Sequence, residues 1–312
     1  MENLLLSFNI VLPLFLCILL GYFLRRIRFF DDAVLKKMNA CVFKVFLPIY
    51  LFNNVYTTDL SAAFNAKLMI FSVISVFVLF GLLMLVIPLL EKENPKRGVI
   101  IQAIFRSNFA LFGLPLAISL CGEEKAGPTS LLVGFIIPIY NVLAVVVLEI
   151  FRGGKPDVKK ILKGIVTNPL IIASLLGILI NLTGFRIPTA VHKAVKDLGG
   201  VATPLSLVVL GGSFVFSHMK QYTKQILIGV GGKLMISPLI FVTAGILLGF
   251  RNEYLAPVLI MFGAPAAVSS FTMAEQMGGD GELAGQLVVL TSAFSILTIF
   301  LWIFGLKQLG FL

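Results

Sequence analysis

The stretch Arg106-Ser107-Asn108-Phe109-Ala110-Leu111-Phe112-Gly113-Leu114-Pro115 sets a cation, a hydroxyl, an amide and a helix breaker inside one apolar run. Such groups are costly in hydrocarbon. Proline also removes an N–H donor and pushes the residue before it out of the α region, so Gly113-Leu114-Pro115 is expected to interrupt a spanning helix. Backbone opened in this way has to be satisfied by protein or by a wet cavity. The device returns downstream as Gly263-Ala264-Pro265, followed by Ser269, Ser270 and Thr272. Two interrupted helices in corresponding halves of a membrane protein point to a site at the bilayer midplane.

The surrounding composition agrees with a bilayer setting. Of 312 residues, 58% are hydrophobic and 13% charged, and the mean hydropathy is +1.02, which leaves too little polar surface to coat a soluble domain. The net charge of +10 sits in short loops between apolar runs, without aromatic interleaving. That pattern fits the positive-inside rule and excludes nucleic acid as the partner. Cys17, Cys41 and Cys121 lie in apolar runs, and His192 and His218 have no metal-ligand spacing, so no metal and no cofactor is expected. The N-terminus carries Glu2, no cationic leader region and an apolar run of about 20 residues, which reads as a retained first span.

Hydropathy predicts ten spans at 4–24, 33–55, 66–90, 98–121, 128–151, 165–184, 199–217, 222–250, 253–277 and 283–307. Alternation then puts fifteen Lys and Arg residues on one side against seven on the other. The first side is expected to be cytoplasmic, with both termini outside a cell membrane crossed many times. The one clear internal boundary runs from Arg152 to Lys163. It divides the chain into a first five-helix repeat over 1–151, a cytoplasmic linker over 152–164 and a second repeat over 165–312. Pro13, Gly21 and Pro48 find counterparts in Pro169, Gly177 and Pro204, each 156 residues later, whereas Pro115 and Pro265 are 150 apart. An odd number of spans per repeat inverts the second half. The expected fold is therefore an all-α polytopic membrane protein of ten transmembrane helices in two inverted five-helix repeats, with broken helices four and nine crossing.

Several side chains in these spans are candidates for a site. Arg106 lies half-way along span four, where it either serves a ligand or snorkels toward the interface near Arg97. Ser107 and Asn108 precede the expected break, and Ser269 and Ser270 follow the other. Half-helix N-termini beyond Gly113-Pro115 and Gly263-Pro265 would present unpaired N–H groups that suit a carboxylate. Lys233 in span eight is a second buried cation, able to neutralise a ligand or to act as a structural counter-charge. Asn54, beside Asn53 and after Pro48, and Asn141, after Pro138, either line the site or support helix ends. Glu275 and Gln276, near the cytoplasmic end of span nine, are candidates for coupling or gating. Met277-Gly278-Gly279-Asp280 does not make an intramembrane aspartyl protease, because position 277 is methionine and no second mid-span aspartate shares the proton. Nor is there a phosphate-binding loop for nucleotide hydrolysis, so no enzyme is expected. Asn181-Leu182-Thr183 fits a glycosylation acceptor but lies too near a span end.

With these residues in view, the chain resembles the auxin efflux carrier family of permeases, whose bacterial members include proteins named malate or malonate transporters. The resemblance runs over essentially the whole chain. It rests on Arg106 to Pro115, on Gly263-Ala-Pro265-Ala-Ala-Val-Ser269, on Ala274-Glu-Gln276-Met-Gly-Gly-Asp280 and on Phe46-Leu-Pro48. It implies a fold similar to that of bile-acid sodium symporters and plant PIN carriers, with a mobile domain built around the crossing of helices four and nine. It also implies a secondary carrier of a small organic anion, the lipid bilayer as its setting, and protons and a second copy of the chain as candidate partners. The uncharged Gly263-Ala264-Pro265 departs from sodium-coupled relatives, which place a glutamate there, and so argues against sodium. The alternative is a receptor or sensor that keeps a carrier fold without moving its ligand.

Overall fold

A computed structural model describes residues 2–58, 65–152 and 158–312, and no strand is present among them. In chain order the helices are α1 (Glu2–Arg26), α2 (Asp32–Cys41), α3 (Leu47–Tyr56), α4 (Ala66–Leu90), α5 (Asn94–Phe105), α6 (Phe109–Cys121), α7 (Gly127–Ile150) and α8 (Val158–Val166). They continue as α9 (Pro169–Thr183), α10 (Thr189–Gly200), α11 (Ala202–Ser213), α12 (Thr223–Gly231), α13 (Ser237–Leu247), α14 (Asn252–Gly263), α15 (Ser269–Met277) and α16 (Gly281–Gln308). Six stretches are long and apolar enough to cross a bilayer: Phe8–Arg26, Ala66–Leu90, Gly127–Ile150, Thr189–Ser213, Met219–Leu247 and Gly281–Gln308. The second, fourth, sixth and ninth expected spans are diluted or divided. Asp32–Tyr56 carries Asp32, Lys36, Lys37 and Lys44, the fourth is α5 and α6, the sixth is α8 and α9, and the ninth is α14 and α15.

The largest departure from expectation is the first break. The chain does not open at Gly113-Leu114-Pro115; α6 runs through both Gly113 and Pro115, and the interruption lies at 106–108. Within α6, Pro115 forfeits a single hydrogen bond to the carbonyl four residues back, which a helix tolerates with a local bend. Arg106 is in extended conformation (φ −90°, ψ 105°), and the opened backbone finds its partners elsewhere. Ala264, ahead of Pro265, is likewise extended (φ −69°, ψ 155°), so the second break lies where the proline places it.

Other boundaries also move. Helix begins at Thr189, ten residues ahead of the expected seventh span, and the eighth segment starts with a 3₁₀ stretch at Phe216–Tyr222. Residues 153–157 of the expected linker lie outside the described residues, and 158–164 belong to α8. Two π-turns, Val42–Phe46 and Gly232–Ile236, sit inside the second and eighth segments. Each ends two residues before a proline, Pro48 or Pro238, whose missing N–H leaves a carbonyl four residues back without its donor. For Pro238 that carbonyl is Leu234 C=O, and the Trp302 indole Nε1 donates to it at 3.1 Å.

Close helix contacts depend on glycine. A Cβ on Gly21 would run into the Val208 carbonyl oxygen, so α1 and α11 meet backbone to backbone. A Cβ on Gly177 would stand 2.9 Å from the Phe52 carbonyl oxygen, where α9 meets α3. Gly177 follows Gly21 by 156 residues and Val208 follows Phe52 by 156. The α3–α9 contact is sealed by Asn181, whose Nδ2 donates to the carbonyls of Tyr56 (2.8 Å), Thr58 (3.0 Å) and Val55 (3.3 Å). Its amide therefore caps the end of another helix and is no free glycosylation acceptor.

At the opposite end of the bundle a polar clasp joins α4, α5, α12 and α16. The Gln225 side chain donates to Glu91 Oε2 (2.6 Å), Lys224 Nζ donates to the Leu90 carbonyl (2.5 Å), and the Tyr222 hydroxyl donates to Asp280 Oδ1 (3.3 Å). Burial works against the charge on Glu91, but the N–H groups of Glu93 and Lys92 together with Gln225 hold its carboxyl below the usual range.

The glycine contacts give a ranked expectation. Gly21→Ala should destabilise the protein by about 1–3 kcal/mol, because the added methyl overpacks a backbone contact that cannot yield. Gly177→Ala should cost less, and Gly231→Ala, where a Cβ meets nothing within 4 Å, should cost nothing measurable. Thermal unfolding of the three purified variants checks the order; equal melting of Gly21→Ala and Gly231→Ala would contradict the α1–α11 contact.

Candidate functional site

The two breaks meet, and each satisfies the other's backbone. Asn108 N–H donates to the Pro265 carbonyl at 2.8 Å, and Ala267 N–H donates to the Arg106 carbonyl at 3.3 Å, with Ser107 and Ala266 paired antiparallel between them. The paired residues are 108 with 265, 107 with 266 and 106 with 267, so the two bonds are symmetric about Ser107 and Ala266. Side chains complete the junction. Ala266 N–H donates to Thr291 Oγ1 (3.1 Å), and the Tyr140 hydroxyl donates to the Met261 carbonyl (3.3 Å) in the last turn of α14. These bonds pair donors and acceptors that hydrocarbon could not.

A narrow cavity adjoins the junction, about 40 Å³ for the centres of water-sized spheres, which is room for a few waters. Arg106, Ser107 and Asn108 line it from the first break, and Ala267, Val268 and Ser269 from the second. Tyr50, Tyr140, Asn141, Thr203 and Ser206 complete its polar wall. The N-terminal ends of α6 and α15 both open here, and their positive dipole ends add to the cation.

Arg106 dominates this wall. It is 5% exposed, its Nη2 donates to Asn141 Oδ1 at 2.5 Å, and its Nη1 donates to Ser270 Oγ at 3.3 Å. Both acceptors are neutral, no carboxylate lines the cavity, and no ion pair of Arg106 exists among the described residues. It does not snorkel. The amide nitrogens of Asn108 and Asn141 are buried with no hydrogen-bond partner among the described residues, and since Asn141 Oδ1 is taken by Arg106, its outstanding group is a donor. A buried cation amid unfilled donors is complementary to an acceptor-rich anion.

The other sequence candidates fall at varied distances from this wall. Ser270 reaches it through Arg106, and Gly263 and Pro265 form the junction's backbone without lining the cavity. Gly113, inside α6, packs against Val133 of α7, and neither it nor Pro115 lines the cavity. Asn54 lines a larger cavity (about 300 Å³ on the same measure) with Thr57, Thr58, Ser130 and Gly134, and this cavity shares Tyr50, Ala110 and Ile137 with the central one. Glu275 lines a third, about 220 Å³, with Asp32, Lys36, Asn39 and Glu282, while Gln276 lines none of the three. The three cavities follow the second segment from Asp32 to Thr58. Lys233 is wholly buried elsewhere, without a hydrogen-bond partner among the described residues.

Sequence reasoning passed over Tyr50, Tyr140, Thr203 and Ser206. Thr203 and Ser206 stand three apart on one helix face, a usable signal, yet hydroxyls are common in membrane helices and bond their own carbonyls, as Ser206 Oγ does to Ala202 (2.7 Å). Tyr140 precedes Asn141, but only the α7–α14 contact shows that its hydroxyl serves the junction.

A family model described as membrane transport protein matches residues 6–303. A Rhizobium meliloti protein named "Putative malonate transporter" is 23% identical over 298 residues, covering 93% of each chain. Proteins named as uncharacterized transporters, from Methanothermobacter thermautotrophicus and Methanocaldococcus jannaschii, are each 24% identical, covering 95% and 94% of this chain and 97% of their own. These relatives are named as transporters and not as enzymes. With its break, its multiple apolar helices and a match along nearly its whole length, the chain belongs to the membrane transport protein family, the family of the auxin efflux carriers.

Proposed function

We propose that the protein is a secondary carrier of a small organic anion, a carboxylate of the malonate type, bound at the meeting point of the two breaks. The observation that carries this reading is the Arg106 guanidinium, buried against a cavity with only neutral partners. An uncompensated buried charge is expensive, and a carboxylate would supply the missing counter-charge together with acceptors for Arg106, Asn108 and Asn141. The named malonate transporter among its relatives supports the substrate class. No specific observation favours a receptor that retains its ligand.

The proposed architecture is ten membrane segments in two inverted five-helix repeats, 1–151 and 165–312, with both termini outside. Its supports are the paired contacts of Gly21 with Val208 and of Gly177 with Phe52, and the symmetric antiparallel pairing of the two breaks about Ser107 and Ala266. The cavity at Asp32 and Glu275 then faces the cytoplasm, and the one at Thr57 and Thr58 faces outward. Alternating access consists of widening one connection to the central cavity while the other closes, with Glu275 and Gln276 at the inner mouth. The junction has no carboxylate to hold sodium, which favours protons or simple anion exit.

Three measurements test these statements. Arg106→Gln should weaken malonate binding by about 2–5 kcal/mol, roughly 30-fold or more, and abolish counterflow in proteoliposomes. Arg106→Lys should lie between, since an ammonium keeps the charge but loses the fork that reaches Asn141 and Ser270. If no carboxylate exchanges with the wild type and Arg106→Gln binds as before, the reading fails. Asn108→Ala should weaken affinity by about 1–2 kcal/mol, near tenfold, with little change in melting temperature; lowered stability with intact affinity would make Asn108 structural. In a cysteine-free background, Lys37→Cys and Glu124→Cys should label from opposite faces, and labelling from one face would overturn the orientation.

A further inference from the structure

The three cavities along the second segment are not equally separated. The central cavity shares no lining residue with the one at Asp32 and Glu275, but it shares Tyr50, Ala110 and Ile137 with the one at Thr57 and Thr58. The partition on that second side is therefore a single layer of side chains. Ala110 has no side-chain torsion to turn, and Ile137, in the middle of α7, is β-branched and held near one rotamer by its own helix. Tyr50 is the member of the partition whose side chain is able to swing.

Tyr50 is fixed at its backbone and held at its tip. A Cβ on Gly199 would stand 3.1 Å from Tyr50 Cα and 3.3 Å from its backbone nitrogen, so α10 lies directly on this turn of α3 and keeps it in place. At the far end of the ring, the hydroxyl is hydrogen-bonded to the side chain of Asn54, one helical turn further on, and interacts electrostatically with the Arg106 guanidinium. Asn54 lines the Thr57–Thr58 cavity and not the central one. The hydroxyl thus stands between an amide of the larger cavity and the cation of the smaller. Beside Arg106 there is room for a few waters only, and a dicarboxylate is bigger, so an anion reaches the guanidinium only when part of this wall moves. The neighbouring cavity, about 300 Å³ on the same measure, gives the Tyr50 ring somewhere to go.

We propose that Tyr50 is the gate between the central cavity and the Thr57–Thr58 cavity. The ring shuts the passage while Asn54 holds its hydroxyl, and rotation of the side chain on a stationary backbone joins the two spaces. Asn54, a candidate ligand contact by sequence, becomes the latch of this gate. As a step in transport the gate rests on the carrier reading; as a barrier it is tested without any transported anion.

The experiment is the rate of alkylation of one introduced cysteine by N-ethylmaleimide, in purified protein whose own Cys17, Cys41 and Cys121 have been replaced. Ser269→Cys puts the thiol on the wall of the central cavity. Ser72→Cys, wholly buried in α4 and lining none of the three cavities, reports any general loosening. Tyr50→Ala should speed alkylation at position 269 by roughly tenfold or more, because the rate follows the fraction of open protein, and should leave position 72 unchanged. Tyr50→Phe and Asn54→Ala break the same bond, so each should speed it roughly fivefold, and the double variant no more than either alone. Alkylation at position 269 that stays at its original rate in Tyr50→Ala would overturn the gate, as would effects of Tyr50→Phe and Asn54→Ala that multiply in the double variant. Equal acceleration at positions 269 and 72 would also overturn it, since that marks a loosened fold. Where Tyr50→Ala fails to fold, Tyr50→Phe, Asn54→Ala and their combination decide alone. A wild type that exchanges no carboxylate would sink the carrier reading and leave each of these outcomes as it stands.

Discussion

Two backbone hydrogen bonds, from Asn108 to Pro265 and from Ala267 to Arg106, are the constraint on which this structure turns. A chain that leaves the helix inside a bilayer exposes N–H and C=O groups that lipid cannot satisfy. One such break alone would be costly; two of them, laid antiparallel, complete each other. Once they meet, four half-helix ends are fixed at a single point. The N-terminal ends of α6 and α15 open on the cavity, and the C-terminal ends of α5 and α14 are flanked by the π-turn that carries Lys233.

That arrangement gives the two buried cations different neighbours. On the cavity side, positive helix ends and Arg106 lie together with amide donors that have no partner among the described residues. On the C-terminal flank, the π-turn carrying Lys233 lies against the ends of α5 and α14, and the Lys233 Nζ has no hydrogen-bond partner among the described residues. The two cations of the interior thus differ, Arg106 bonded to neutral groups at a cavity and Lys233 without a partner among the described residues, although the sequence presents both as a basic residue within an apolar run.

Prolines act in three ways here. Pro265 ends a helix by forcing Ala264 into extended conformation. Pro115 sits inside α6 without ending it. Pro48 and Pro238 each follow a π-turn, where the wider turn accommodates the carbonyl that lost its donor, and at Leu234 the Trp302 indole takes up that carbonyl. The Trp302 contact also ties α16 to the π-turn.

The sequence by itself determined the class of fold: composition and apolar runs place the chain in a membrane, and a cation with polar groups in two of those runs marked the stretches that meet. It also determined Pro265 as a stop, because the restriction on the residue before proline is local. It misled at Pro115, since a proline's effect depends on whether neighbouring packing carries the helix through, and the open turn at 106–108 holds no breaker at all. Only the tertiary structure decided that Arg106 faces a cavity and bonds Asn141 and Ser270, that Gly113 packs against Val133 of α7, that Asn181 caps a distant helix, and that Lys233 lies apart from Arg106. Each of these depends on a partner far away in the chain, such as Ser270, 164 residues from Arg106, and no local periodicity encodes such a meeting.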